Sequence, residues 1–485
     1  MFRREFLWFS AVLLGCLTGC TKYQAQPLAS QQIVMNVEAA RRKQGRTNSD
    51  VSGDAIPPFT FSYAVELMST NSPALREARS EYQTAMVLTK VKTPLPNPTF
   101  EAGPRYGFGP DVMNVNPFIP FGSLGFTIPT GKRLKRQDEL NQVLAEVAYV
   151  EVQAKHRELY MELRKLYSRL MLARARFIAR ESLAASAEKS VTLSKRLVEA
   201  GQATSLDTGL LELEHGRTRT EMMNAGSEIA SIEGEMSDLV GVNAEHFQGI
   251  PENALPGGTD REISRPELLK TLICNHPQLA RLRARYEATE RQLHLEIAKQ
   301  YPDFRFGPSI EGDAGSQKQT VGLTLGIDIP IFDRNQQAIA TALQRREELR
   351  TKYETAANKA LSALDQALRK FALAVEKSKF LKTELRPKAH SNVELARKSL
   401  QAGTGDSLRF LETERAERMA TIDVIESELN EREAWVEIEQ SVGYPLIQFP
   451  DEQQIDFPVL PESVRIPTDG GLKPKIVDAE EGQPK

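Results

Sequence analysis

Hydrophobic residues along this chain recur with two different periods. In two long stretches they step by four and then three, at Leu159, Leu163, Leu166 and Leu170 and again at Leu364, Leu368, Phe371 and Val375. That step is the roughly 3.5-residue repeat of a coiled-coil seam. The first stretch, from about Lys132 to Glu199, holds no Pro and no Gly, and it predicts one helix about 100 Å long. The second, from about Asn335 to Leu400, is interrupted only by Pro387, where a kink or a restart is expected. Elsewhere the period drops to two. Val321, Leu323, Leu325, Ile327 and Ile329 alternate with Gly322, Thr324, Gly326 and Asp328, and Leu124, Phe126 and Ile128 alternate with Ser123, Gly125 and Thr127. Such alternation predicts strands, apolar on one face and small or polar on the other. Phe304, Phe306 and Ile310 lie on one face of the strand before Val321, with a polar turn from Gly312 to Gln319 between the two. Phe100, Tyr106 and Phe108 mark the other partner strand, followed by a Pro-rich loop from Gly109 to about Pro120.

Both patterns occur twice because the chain is a tandem duplication. Asn71-Ser72-Pro73-Ala74-Leu75 returns as Asn275-His276-Pro277-Gln278-Leu279, Pro98-Thr99-Phe100 as Pro302-Asp303-Phe304, and Gly103-Pro104 as Gly307-Pro308. Ile128-Pro129 matches Ile329-Pro330, Glu199-Ala200-Gly201 matches Gln401-Ala402-Gly403, and Val240-Gly241 matches Val442-Gly443. Repeated landmarks in one order define the architecture before any single element does. Each copy predicts a helix ending near a Pro (Pro94 or Pro302), two strands, a very long helix, a Gly break and a medium helix.

Charges surround the long helices, so their periodicity alone does not choose between a rod and a tube. The strands decide. Strands of this length with one apolar face match the transmembrane β-barrel pattern, and four per chain are too few to close, because barrels need about eight or more. An open sheet edge cannot sit in lipid, where each unpaired backbone group costs several kcal/mol. The expectation is that neighbouring copies pool strands, three copies giving about twelve. Two soluble hairpins capping a helical bundle would leave the Val/Leu/Ile face without a cover.

Composition narrows the classes further. Charged residues are 26% of the chain with a net charge of −3, which is not the basic footprint of a nucleic-acid binder. After residue 20 no run of about 20 apolar residues offers a spanning helix. At the N-terminus, Arg3 and Arg4 precede an apolar core from Phe6 to Leu14 and the stretch Leu17-Thr18-Gly19-Cys20, the layout of a secretory signal. The Leu-x-Gly-Cys ending resembles the bacterial lipobox, which makes Cys20 the lipidated, palmitate-bearing first residue of the mature chain. Thr21, in place of an Asp, fits sorting to the outer membrane. Cys16 leaves with the signal, and Cys274 reads as a small buried helix residue. His156, His215, His246, His276, His294 and His390 are scattered without metal-ligand spacing, and no Ser/His/Asp set or phosphate loop is present. No cofactor, metal site or catalytic residue is expected.

The duplication, the order of hairpin then long helix, and the Gly at each helical break resemble the TolC-like outer-membrane efflux factor family over residues 61–445. The lipobox resembles its lipoprotein branch. Ile329-Pro330-Ile331-Phe332-Asp333-Arg334-Asn335-Gln336 and Ile128-Pro129-Thr130-Gly131-Lys132-Arg133 resemble segments of the heavy-metal, CzcC-like components. At this joint Pro ends the strand, Asp333 is a suitable N-cap and Arg334 can pair near the barrel base. The resemblance implies a mainly α fold with a small β part, in which coiled-coil-like helices form an α-barrel and four transmembrane strands per chain close a 12-stranded β-barrel in a homotrimer. It further implies an outer-membrane, lipid-anchored location, with helices extending into the periplasm. The partners it implies are a periplasmic adaptor and an inner-membrane transporter, expected to be proton-driven. The function implied is a passive, gated exit duct for small solutes, heavy-metal cations first. A multidrug duct and a non-conducting lipid-anchored scaffold are the alternatives.

The expected organisation is a signal at 1–19, a lipidated tether at 20–60, repeats at 61–241 and 266–445, a linker at 242–265 and a tail at 446–485. Val321, Leu323, Leu325, Ile327 and Ile329 form the lipid-facing strand. Gly201-Gln202-Ala203-Thr204 and Gly403-Thr404-Gly405-Asp406 turn the chain at the periplasmic tip, with Ser205 or Ser407 as caps of the next helix. By position in the family, Gly201, Asp207, Gly403, Asp406, Arg409 and Glu412 are the gating candidates, Arg409 standing where some relatives carry an acid. The same charges also fit solvated helix starts.

Overall fold

Long uninterrupted helices and short strands follow one another twice in a computed structural model that describes residues 23–43, 59–106, 118–201, 204–247, 264–312, 319–402, 404 and 407–447. The chain divides into two units, Met1–Ile56 and Pro57–Lys485. In the first, the described residues include one helix, α1 (Ser30–Lys43). The second runs α2 (Phe61–Asn71), α3 (Pro73–Lys90), β1 (Thr99–Tyr106), β2 (Phe118–Ile128), α4 (Arg133–Glu199), α5 (Ser205–Val240) and a 3-10 turn at Ala244–Phe247. The same series then returns as α6 (Arg265–Asn275), α7 (Pro277–Ala298), β3 (Phe304–Gly312), β4 (Gln319–Ile327), α8 (Gln336–Phe380), a π-turn at Leu381–Leu385, α9 (Arg386–Gln401) and α10 (Ser407–Val442). The strand β2 begins inside the stretch expected to be loop, so Pro120 lies in the sheet, opposite Pro104. Phe108 lies outside the described residues.

Each repeat is pinned at its Asn-x-Pro corner. Pro73 and Pro277 occupy the first turn of α3 and α7, where a missing N–H costs nothing. The corner then receives the glycine that ends the last helix of its own repeat. Gly241 sits at φ 82° with its Cβ position 2.9 Å from the Asn71 carbonyl oxygen, and Gly443 at φ 74° with its Cβ position 2.9 Å from Pro277 Cδ. Only glycine takes this left-handed backbone at such close approach.

The predicted seam is the core. Leu163, Leu166 and Leu170 are buried on α4 with Tyr160 and Tyr167, against Phe59, Phe61 and Met68 on one side and Ile232, Met236 and Val240 of α5 on the other. In the second repeat Leu364 is buried against Leu268, Leu272, Ile438 and Val442, while Leu368 and Phe371 are partly covered and Val375 is 37% exposed. The two long helices differ. α4 is continuous over 67 residues, about 100 Å, whereas its counterpart widens into the π-turn, where the Arg386 N–H bonds to the Leu381 carbonyl. Pro387 lacks the N–H that the next α-helical bond requires and its ring crowds the turn before it, so an inserted residue relieves the clash. Cys274, expected to be buried, is exposed. It follows the core residue Leu272 by two positions, which turns it about 200° away from the core.

A buried ion pair ties the copies together. Arg164 of α4 and Glu439 of α10 are 1% and 0% exposed, with Nε 2.7 Å from Oε2. Glu439 Oε1 also accepts the backbone N–H groups of Leu446 (2.8 Å) and Ile447 (2.9 Å). Arg164 donates to the Ile447 carbonyl and lies over the Phe61 ring. Removing one member of such a pair strands the other charge. Glu439→Ala is therefore expected to cost about 3–5 kcal/mol, while Arg164→Met with Glu439→Leu restores most of it. Gly443→Ala is expected to cost about 1–2 kcal/mol from backbone strain alone. Denaturant unfolding followed by helical circular dichroism measures all of them.

Candidate functional site

The four strands form one antiparallel sheet in the order β1-β2-β3-β4, so the two copies zip together at β2 and β3. Register decides what each face carries. Phe126, Phe306 and Leu325 stand abreast, as do Ile128, Phe304 and Ile327, and Gly122, Ile310 and Val321. Phe126 and Phe306 stack with ring centroids 5.5 Å apart. The predicted strand is uncovered: Val321, Leu323, Leu325 and Ile329 are each about 70% exposed and Ile327 44%. The opposite face aligns Ser123, Ser309 and Gly322, then Thr127, Arg305 and Gly326, with Arg305 paired to Asp328. A Cβ on Gly307 would collide with the Leu124 carbonyl oxygen, so this position closes the sheet only as glycine. The outer edges of β1 and β4 have no strand beside them in this sheet.

Below the sheet, first-copy residues grip second-copy residues. Arg133 pairs with Asp303 at 2.8 Å, and Thr130 donates to the Pro302 carbonyl. Within the first copy, Thr93 donates its N–H (2.9 Å) and hydroxyl (2.6 Å) to Asp138, and those bonds hold the Asp138 carboxyl below its usual range. Lys132 and Asn335, each preceding its long helix, both take the left-handed conformation. Asp333 is not the N-cap expected. Asn335 holds that position, and Asp333 closes a turn by accepting the Asn335 N–H at 2.9 Å. The Asn335 amide reaches back to Glu296, 2.8 Å from Oε2. Arg334 turns to its own backbone, donating to the Pro330 carbonyl, and the ion pair of the joint falls to Arg133.

At the first helical break, Gly201 has φ 69°. The cap of α5 is Thr204 rather than Ser205, which is already helical. Thr204 and Asp207 form a reciprocal capping box, the Thr204 N–H lying 2.9 Å from Asp207 Oδ2. The Thr204 hydroxyl and N–H pull the Asp207 carboxyl below its usual range. The geometry thus gives Asp207 a helix-start role. Gly403, Gly405 and Asp406 lie outside the described residues, as does Cys20. Arg409 and Glu412 are exposed on α10. Among the described residues, the ion pairs near this break join Lys195 to Glu212 and Arg415 to Glu214, both at 2.8 Å.

A ladder of arginines on α4 carries the contact between the helical pairs. Arg169 meets Glu235 of α5 at 3.4 Å. Arg176 reaches Glu228 of α5 and Glu433 of α10, each at 3.4 Å, and Arg180 spans Glu221 and Glu426 in the same way. The sequence reading missed these residues. Their signal was present as Glu221, Glu228 and Glu235 at heptad spacing, with Glu426 and Glu433 repeating it. The histidines do not converge, and among the described residues no group of His, Cys, Asp and Glu is placed to hold a metal. His294 is exposed, His390 contacts Glu417 at 2.6 Å, and the His246 side chain lies outside the described residues.

Residues 268–444 match the family described as outer membrane efflux protein. The chain is 22% identical over 369 residues to the cobalt-zinc-cadmium resistance protein CzcC of Cupriavidus metallidurans, covering 75% of this chain and 84% of that one. It is 26% identical over 242 residues to the nickel-cobalt-cadmium resistance protein NccC of Alcaligenes xylosoxydans xylosoxydans, 47% of this chain and 52% of that one. Among solved structures, the outer-membrane channel OprN shares the fold with a TM-score of 0.64 at 20% identity, over 79% of this chain and 90% of that one.

His156 and His276 are held below the ordinary histidine value, first by burial and then by nearby arginines, Arg79 and Arg157 at His156 and Arg281 at His276, where Glu158 partly opposes the shift. A depressed histidine means that the unfolded chain binds more protons near its own value of about 6.5. Stability is therefore expected to hold above about pH 7 and to fall as pH drops through the unfolded value. His276→Gln is expected to flatten that slope, read as melting temperature against pH from 8 to 5.5. Asp138 and Glu139, both held low, act in a more acid window.

Proposed function

We propose that this chain, a TolC-like outer membrane efflux protein by its family match and its fold, is one subunit of a homotrimeric exit duct. The observation that carries the reading is the sheet. It presents an uncovered apolar face, a polar opposite face and two open edges, and β4 of one copy is the natural partner for β1 of the next. Three copies close twelve strands, with the apolar faces toward lipid and the Ser/Thr/Gly faces toward the lumen. The helices continue the duct into the periplasm, where an adaptor and an inner-membrane transporter supply the coupling. The duct itself carries out no chemistry.

The printed names of CzcC and NccC support divalent heavy-metal cations as the cargo. The absence of a metal cluster among the described residues is compatible with that cargo, since a conduit need not hold what passes through it. Cys20 is the proposed lipid attachment that places the chain at the outer membrane. Gly201, Asp207, Gly403, Asp406, Arg409 and Glu412 remain the proposed turn and aperture residues.

The test is the mass and conductance of the detergent-purified protein. A three-subunit particle by light scattering that opens channels in a planar bilayer is the expected result. A particle that stays monomeric without detergent overturns the reading. At residue level, Leu325→Arg puts a charge on the lipid face and is expected to cost about 2–4 kcal/mol at mid-membrane depth, seen as loss of the trimer from the outer-membrane fraction. Thr324→Lys, on the opposite face, is expected to leave assembly intact and to change conductance and ion selectivity.

A further inference from the structure

An open cleft of about 710 Å³ runs between α4 and α10. Its floor is apolar, built from Met171, Ala175, Ile178 and Leu183 on α4 with Ile422 and Ile425 on α10. Ile178 is 50% exposed. Met171 closes the buried aromatic core on one side and begins the cleft on the other. Arg174 stands at this end, and the Arg418 guanidinium crosses to Ser186 at 2.8 Å at the far end. The described residues leave this apolar surface without an occupant.

The chain's own course supplies one. The buried Arg164–Glu439 pair grips Leu446 and Ile447 and so fixes where the C-terminal segment departs. Arg164 lies seven residues before Met171 on the same helix, about 10 Å along its axis. Residues 448–485 continue from that point, and they include Ile455-Asp456-Phe457-Pro458-Val459-Leu460-Pro461. In an extended chain Ile455, Phe457 and Val459 share one face, and the two prolines favour an extended course. Seven extended residues reach about 23 Å, and the cleft from Met171 to Ser186 is about 22 Å along α4. The eight residues from Ile447 to Ile455 more than cover the approach. Asp451, Glu452, Asp456 and Glu462 flank the apolar stretch. The arginines at the ends of the cleft are already paired, Arg174 with Glu233 at 2.9 Å and Arg418 with Glu414 at 3.5 Å, so the fit rests on the apolar face and the reach of the chain.

We propose that residues 455–461 of each subunit lie along the α4/α10 cleft of the same subunit, as an extended apolar strap. Tethering so close to the site raises the effective concentration of the segment to the millimolar range, so a modest apolar contact is enough to seat it. A seated strap covers the junction of the two helical pairs just beyond the aromatic core, and a partner using that groove has to displace it.

Labelling of a single cysteine at the cleft tests this. The mature chain, with Cys16 removed and Cys20 blocked by the proposed lipid, carries Cys274→Ser and Ile178→Cys, a change that a half-exposed position accommodates. Its reaction with a soluble maleimide is timed in detergent, with and without Phe457→Asp and Val459→Asp in the tail. The strap predicts labelling about tenfold faster once the tail is charged, as expected for a segment seated roughly nine-tenths of the time. Equal rates overturn it, whether both fast (an open cleft) or both slow (a neighbouring copy in the cleft). As a second reading, Ile178→Cys with Phe457→Cys is oxidised in the Cys274→Ser chain. A bridge that keeps the mass of one subunit supports the proposal, whereas bridged dimers place a neighbour's tail in the cleft and overturn it.

Discussion

Backbone hydrogen bonding in the sheet is the constraint from which the rest of the architecture follows. The strands satisfy one another from β1 to β4, and β1 and β4 are left with outward-facing peptide groups. Beside an apolar face meant for hydrocarbon, those groups have no water to bond. In the proposed duct they take strands from elsewhere, and a chain that presents an open edge on each side can meet that need with copies of itself. The length of the helices is a separate matter, set by the seam; in the proposed trimer the copy number follows from the edges.

Because the central ladder is β2 with β3, the duplicated halves are joined through their backbones before any side chain contributes. Side chains then repeat the joint at successive levels. Arg133 holds Asp303 at the foot of the sheet, Arg164 holds Glu439 in the core, and Arg176 and Arg180 reach Glu433 and Glu426 farther down α4. In each of these pairs the arginine belongs to the first copy and the acid to the second. The reverse order also occurs, with Arg281 of the second copy on Glu151 and Glu158 of the first and Arg415 on Glu214, so charges cross the joint in both directions.

Much of this was legible in the sequence. Period-two alternation from Val321 to Ile329 gave both the strand and its exposed face, and the 4-3-4 leucine steps gave the buried seam, because burial and periodicity are the same physical fact seen twice. Pro387 marked the interruption of the second long helix, since a residue without an N–H leaves few alternatives. The cap residues were less legible. Asp333 and Asn335 are both good caps in isolation, and the choice fell on Asn335 because its amide also reaches Glu296 on another helix. Thr204 won over Ser205 in the same way, through its reciprocal partner Asp207. Cys274 was misjudged because a short apolar helix does not announce which of its sides meets the core. The arginine ladder escaped because each of its charges, taken alone, looks like a solvated helix face; only the pairing of two heptad series across three helices gives it meaning.

That ladder also bears on how this protein can change over time. Arg176 answers Glu228 on one side and Glu433 on the other, so no single replacement of one glutamate can be compensated at Arg176 without disturbing the second. A substitution that drifts harmlessly in an ordinary two-helix pair is here subject to a double veto. Changes in the two copies of the duplication are therefore coupled through shared charges along this stripe of α4.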